Sequence, residues 1–246
     1  MNLMKSINLI WLSALVFAIP GDAQDASSGY SQSYAILIKG ALAGSETVTE
    51  TTSESGDLVS VSDHEIFVSD GLETKRMTFS TKMVLAKSSW TPISYTYKYT
   101  SGDTGDSYEV AVKNAKISRI LNRGGRTSEV DAPIPLNMVI VDYNVYHQYD
   151  YLIRKYDVKK GGRQLFADFV PLIGDDIPLA LTFLGNVDLN YERGSIPSRN
   201  YKIEFIGIWS VSLFVDADGR LLRLLIPSQD LEVVRKDLLP SAKPSI

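Results

Sequence analysis

DYNVYHQYDYLIRKY, residues Asp142–Tyr156, carries five tyrosines and one of the two histidines of a 246-residue chain. On either side of it the sequence alternates apolar and polar residues with a period of two, the mark of half-buried strands. How this segment folds therefore decides the architecture. Asp142 can cap a helix, and Val145, Tyr149, Leu152 and Tyr156 fall on one helical stripe that Gly161-Gly162 would stop. A strand competes: Val141, Tyr143, Val145, His147, Tyr149, Tyr151 and Ile153 alternate with Asp142, Asn144, Gln148, Asp150 and Arg154, and tyrosine favours strands. The cap and the glycine stop favour the helix, and the strand reading stays open.

Upstream of this segment, Tyr34–Lys39 reads as a first strand and Gly40–Gly44 as a turn. Ser45–Ser53 is a polar, Thr-rich strand, a turn at Ser55–Asp57 leads to a strand over Leu58–Phe67, and Asp70-Gly71 is a further break. From Met77 the alternation sharpens, with Met77, Phe79, Thr81, Met83 and Leu85 on one face. In the next strand Ile93, Tyr95, Tyr97 and Tyr99 oppose Ser94, Thr96 and Lys98, so one side of that strand is aromatic and the other polar. Short strands over Tyr108–Val112 and Lys116–Leu121 join at Asn114-Ala115. Pro133 and Pro135, which lack amide donors, mark the boundary before the tyrosine segment.

Downstream, Arg163–Val170 is a strand, Gly174–Pro178 a loop, Leu179–Leu184 and Asn186–Glu192 strands flanking Gly185, and Gly194–Arg199 a loop around Pro197. Tyr201–Ile206 is a further strand. Trp209–Ile226 is a β-hairpin that turns at Asp216–Gly219, and Leu231–Arg235 adds a last strand. Some fourteen strands with one helix make a mainly β protein, an antiparallel meander whose width requires a half-barrel, a closed barrel or a sandwich, and the expectation is a half-barrel or open barrel with the helix packed on the concave face.

The ends of the chain bear on compartment. Met1–Ala23 has a lone positive charge at Lys5, a 13-residue apolar run from Ile7 to Ile19, then Pro20 and small residues at Gly21 and Ala23, the pattern of a secretory signal peptide cleaved near Ala23. A membrane span needs about 20 apolar residues, so no transmembrane segment is expected in the mature chain. Residues 24–33 read as a flexible lead-in, 34–239 as one β domain and 240–246 as a tail, in a periplasmic or secreted protein. The absence of cysteine excludes disulfides, thiol catalysis and lipidation at a cysteine after the signal. A net charge of −4 with no basic stripe argues against nucleic acid as a partner.

Chemical motifs are thin. His147 could act as a general base with Asp150 or Asp142 behind it and a serine before it, but no nucleophile elbow accompanies it. His64 lies mid-strand between Asp63 and Glu65. With two histidines and no cysteine, a transition-metal site lacks at least one ligand that a carboxylate would have to supply. Neither metal nor cofactor is expected. Asp216-x-Asp218-Gly219 opens like a calcium loop but has Pro227 where the closing glutamate belongs, and a hairpin turn explains it. Asp175-Asp176 reads as a solvated loop rather than as paired catalytic carboxylates.

Three short motifs resemble uncharacterised domain families of exported bacterial proteins: Gly40 and Gly44 after the first strand, Tyr156-Asp157 followed by Lys160-Gly161-Gly162, and the closing Asp218-Gly219-Arg220-Leu221-Leu222. Those families are similar in fold to the outer-membrane lipoprotein carriers, whose half-barrel wraps helices and shelters acyl chains. The resemblance implies fold and compartment and carries no active site. Together with the aromatic enrichment it sets the functional expectation: a non-enzymatic protein that binds a hydrophobic or amphipathic, lipid-like ligand through Ile93, Tyr95, Tyr97, Tyr99, Tyr146, His147 and Tyr149. An envelope assembly factor that pairs its strand edges with a protein partner is the alternative, and a hydrolase using His147 the weakest one.

Overall fold

The computed structural model describes residues 29–69 and 73–239. The expected signal peptide, residues 24–28 of the expected lead-in, the Asp70-Gly71 break and the 240–246 tail lie outside the described residues. The others form one 15-stranded sheet whose order places the first strand in the middle. From β1 (Tyr30–Ile38) the chain steps outward through β2 (Ala41–Thr52), β3 (Leu58–Ser69), β4 (Thr74–Ala86), β5 (Thr91–Ser101), β6 (Thr104–Lys113) and β7 (Lys116–Arg123) to β8 (Arg126–Pro133), one edge of the sheet. It then crosses to the other edge, β9 (Met138–Val139), enters helix α1 (Gln148–Lys155), and returns inward through β10 (Arg163–Val170), β11 (Asp175–Tyr191), β12 (Gly194–Phe205), β13 (Trp209–Val215) and β14 (Leu221–Ile226). The last strand, β15 (Leu231–Arg235), pairs with β1 and joins the two halves. Every pairing is antiparallel except that of β9 with β10.

A sheet this wide must curl. Met138 of one edge packs in a common core with Tyr95, Tyr108 and Ile117 of the other half, but the edges do not hydrogen-bond, so the sheet stays open rather than closing into a barrel. The helix lies inside the curl. Gln148 through Ile153 are all buried. Tyr149, Leu152 and Ile153 pack on residues of β10–β15, such as Leu179, Ile203 and Leu213, while Tyr151 joins the cluster built on β3–β7.

The helix expected within Asp142–Tyr156 is present but shorter, and Asp142 does not cap it. Residues Asp142 to His147 form turns, and the helix ends at Lys155, before Gly161-Gly162. The strand reading fails because the amides of Tyr146 and His147 are satisfied by a carboxylate from β2, described below, rather than by a neighbouring strand. β1 starts at Tyr30, so Tyr30–Ser33 of the expected lead-in belong to the sheet. The two strands expected around Gly185 are one, β11, which takes a register shift between Phe183 and Gly185 and absorbs Asp175-Asp176 at its start.

The loop expected around Pro197 is strand as well, and a single rule explains why its proline is tolerated. Pro197 pairs with Asp188 of β11 on one side, while β12 meets β13 only from Arg199 onward. Pro92 likewise faces Leu85 of β4, where β6 has not yet joined, and Pro133 ends an edge strand. Each proline therefore sits where one side of its strand has no ladder to break.

Of the two early glycines, only Gly40 turns the chain, with φ +75°. Gly44 sits inside β2 opposite Ile66, where a Cβ would stand 2.1 Å from the Glu65 carbonyl oxygen. The close approach of β3 requires a residue without a side chain. Gly44→Ala is expected to destabilise the fold by about 1–3 kcal/mol, because the backbone of β3 must shift. Urea unfolding measures it, and a loss below about 0.5 kcal/mol, the range of ordinary surface changes, would contradict this account.

Candidate functional site

The inner face of β2 and β3 is polar, and the strand register explains how. On β2 the inward residues are Glu46, Val48 and Glu50, and on β3 they are Leu58, Ser60, Ser62, His64 and Ile66. Antiparallel pairing sets His64 directly across from Glu46, and Ser60 across from Glu50. Both glutamates are buried, at 0 % and 4 % exposure, so each needs hydrogen-bond donors or cations.

Glu46 finds them in the segment before the helix. Its Oε2 accepts the Tyr146 amide at 3.1 Å, and its Oε1 accepts the His147 amide at 3.2 Å and bonds the His147 ring at Nδ1. Nε2 of His64 stands 3.5 Å from the same oxygen. Burial works to raise the Glu46 pKa, but the two imidazoles and the His147 amide outweigh it and hold the carboxyl below its ordinary value. For His64, burial dominates and lowers the pKa, with Glu46 offsetting only part of the effect. A carboxylate from β2 thus caps the entry to α1, the role that sequence reading gave to Asp142.

Glu50 anchors the helix one turn further on. It accepts the Tyr151 hydroxyl at 2.9 Å and pairs with Arg220 at 2.6 Å. The Arg220 guanidinium lies 3.7 Å above the Tyr30 ring, and Asp150 accepts the Leu221 amide at 2.9 Å. Burial lifts the Asp150 pKa to about 7 against the pull of Arg154 and Arg220. Asp142, displaced from capping, accepts the hydroxyls of Tyr95 (2.8 Å) and Tyr108, and its own amide donates to Gln148 Oε1. Burial raises its pKa despite those donors.

The aromatic residues singled out from the sequence are therefore divided. Tyr95 is fully buried on Asp142, and Tyr149 is core against β10–β15. Tyr146 and Tyr149 border a residual space of only about 50 Å³ beside Phe205 and Trp209. Ile93 leaves the aromatic face, because β5 shifts register between its contacts with Val84 and Leu85 and turns Pro92 inward in its place. His147 is 1 % exposed and belongs to the Glu46 cluster. Tyr97 and Tyr99 remain half-buried. Tyr97 stacks on Tyr108 at 4.6 Å, and Tyr99 leans on Phe79 at 5.2 Å. With Met77, Tyr143 and Leu172 they line a cleft of about 260 Å³ that Arg123 and Asp106 border.

Ser60 Oγ lies 3.1 Å from Nε2 of His147, whose Nδ1 bonds Glu46, in the order of a serine–histidine–carboxylate relay. Ser60 is 0 % exposed and is not among the residues that line the cleft, so its hydroxyl has no room for a substrate there. Glu46 is the carboxylate that sequence spacing could not supply to the histidines. Its Oε1, His64 Nε2 and His147 Nδ1 lie within 4.8 Å of one another, and these three residues could hold a metal ion. The signal was present as the period-two run Ser60-x-Ser62-x-His64 beside Glu46-x-Val48-x-Glu50. With polar residues on both faces of these strands, nothing in the sequence showed which face points inward.

No protein-family model matches the chain, and no curated protein does. Among solved structures it is similar to a beta-barrel-like protein of the domain of unknown function DUF1849 from Brucella abortus, with TM-score 0.57 and 8% identity over 83% of this chain and 93% of that one. A DUF1089 family protein from Pseudomonas aeruginosa aligns over 91% of this chain and 98% of its own at 12% identity with TM-score 0.40. The first likeness shows a shared β-barrel-like fold. Among the described residues no helix is long and apolar enough to cross a membrane.

Asp168 offers a test of how the interior treats unpaired charge. Its Oδ1 accepts the Val141 amide at 2.8 Å, while the buried Oδ2 has no partner. Burial raises its pKa well above the ordinary value, against the Val141 hydrogen bond and with help from Asp142. The folded state therefore binds this proton more tightly than the unfolded chain. The resulting stability is fully present below the unfolded value of about 3.9 and is lost as pH rises through the folded one. Asp168→Asn, which keeps the acceptor for Val141, should flatten the fall in unfolding free energy from about pH 4 upward. Parallel curves for the two proteins would contradict a protonated Asp168.

Proposed function

We propose that this is an exported, non-enzymatic protein that binds an amphipathic, lipid-like molecule at the rim of its curled sheet. The observation that carries the reading is the 260 Å³ cleft, whose wall of Met77, Phe79, Tyr97, Tyr99, Tyr143 and Leu172 is apolar or aromatic and whose border holds Arg123 and Asp106. Half-buried tyrosines suit such a ligand, because each offers an apolar ring and a polar tip. The cleft is smaller than ordinary ligand sites, which run to roughly 300–1,000 Å³, so it takes one chain end or ring rather than a whole lipid. Export rests on the Met1–Ala23 pattern. The likeness of a half-barrel around a helix to the lipoprotein carriers supports a role in the cell envelope, with the difference that α1 fills the centre of the curl here.

The assembly-factor alternative draws on β8, an edge strand with one neighbour. Its exposed Arg126 and Glu129, with Pro133 at its end, are the residues that discourage edge pairing, so it has less support than the cleft.

A fluorescent fatty-acid probe titrated into the purified protein should bind saturably, and Tyr99→Ala should weaken it by about tenfold, or 1.4 kcal/mol. Absence of saturable binding, together with no lipid released on organic extraction, would overturn the reading.

A further inference from the structure

Both histidines of the chain meet at one buried carboxylate, and what that carboxylate lacks is a permanent cation. Among the described residues the ion-pair partners of Glu46 are His64 and His147, with no lysine or arginine, and the three side chains are 0–2 % exposed. With both imidazoles neutral, a negative charge is left in the interior, which is costly. Two imidazole nitrogens and one carboxylate oxygen are the donor set of a borderline divalent cation. We propose that Glu46, His64 and His147 form a structural zinc site that ties β2 and β3 to the entry of α1.

The geometry around the donors supports this assignment. Each imidazole turns one nitrogen towards Glu46 Oε1 and the other away from it. Nε2 of His147 bonds Ser60 Oγ at 3.1 Å, an outward partner of the kind that fixes the orientation of a ligating histidine, while Nδ1 of His64 is buried without a hydrogen-bond partner. A tetrahedral site with bonds of about 2.0–2.1 Å has edges of about 3.4 Å. The His64–Glu46 separation of 3.5 Å fits such an edge, while the His147–Glu46 hydrogen bond must open as an ion replaces the shared proton. Ser62 Oγ, 2.7 Å from His64 Nε2 and 2.6 Å from Thr81 Oγ1, is a neighbouring oxygen that could complete the set. His64 and His147 are 83 residues apart, so an ion bridging them links the meander to the crossover that carries the helix.

Because the site is buried, the ion must enter while the chain folds, and the test follows that order. The full chain is unfolded in guanidinium and refolded with either zinc or a chelator. Excess metal is then removed by gel filtration and bound zinc is counted. One zinc per chain is expected, with a higher Tm than the chelated sample. Refolding with Co2+ should give the strong visible bands of a tetrahedral site. Ser60→Ala, which spares all three ligands, should weaken retention by about tenfold or more, and His64→Gln should abolish it. Substoichiometric zinc together with no visible cobalt bands in the wild-type protein would overturn the proposal and leave a proton shared between Glu46 and the histidines as the occupant. Zinc retained unchanged in His64→Gln would overturn it as well.

Discussion

The Glu46 carboxylate is the constraint on which the rest of the structure depends. It leaves β2 on the inner face of the sheet and receives the amides of Tyr146 and His147, the last free donors before α1. An eight-residue helix is marginal in water, since isolated helices below about 12–15 residues rarely persist. Here a charge in a low-dielectric interior caps it, and six of its residues exchange water for core. A buried carboxylate with three donors is tolerable, whereas the same carboxylate without the helix entry would be an uncompensated charge. Sheet and helix therefore need each other.

Filling the curl with a helix has a consequence for ligands. The space that an open half-barrel would leave for an acyl chain is occupied by Tyr149, Tyr151 and Leu152, and Gln148 Oε1, the Tyr151 hydroxyl and Asp150 Oδ1 are bonded to Asp142, Glu50 and Leu221. Uncovered apolar surface survives where the turns from Asp142 to Asn144 leave Met77, Tyr97 and Tyr99 partly open. The buried polar core and the rim cleft share Asp142. That residue accepts two tyrosine hydroxyls from β5 and β6 and also borders the cleft, so the wall of the cleft is held in place from behind.

Much of this was legible in the sequence because strand burial imposes a period of two. The hairpin from Trp209 to Ile226 and the turn at Asn114-Ala115, both residues at positive φ, follow from local chemistry. The Asp216 side chain accepts the amides of Asp218 and Arg220, which accounts for its calcium-like motif without an ion. Long-range choices were not legible. Asp142 looks like a helix cap from its neighbours, yet two tyrosines far along the chain claim it. Pro197 reads as a loop until the one-sided pairing of β12 is known. Glu46 and His64 meet through register, which a polar strand with two similar faces does not reveal.

Native-state hydrogen exchange of Glu46→Gln tests the central claim most directly, because it reads the helix apart from the sheet. Removing the charge while keeping the shape should speed exchange of the amides from Tyr146 through Lys155 by about two orders of magnitude, the equivalent of roughly 3 kcal/mol. The strands β11–β14 should stay protected. Unchanged protection across the helix would contradict the account and place the anchor of α1 in the apolar contacts of Tyr149 and Leu152 instead.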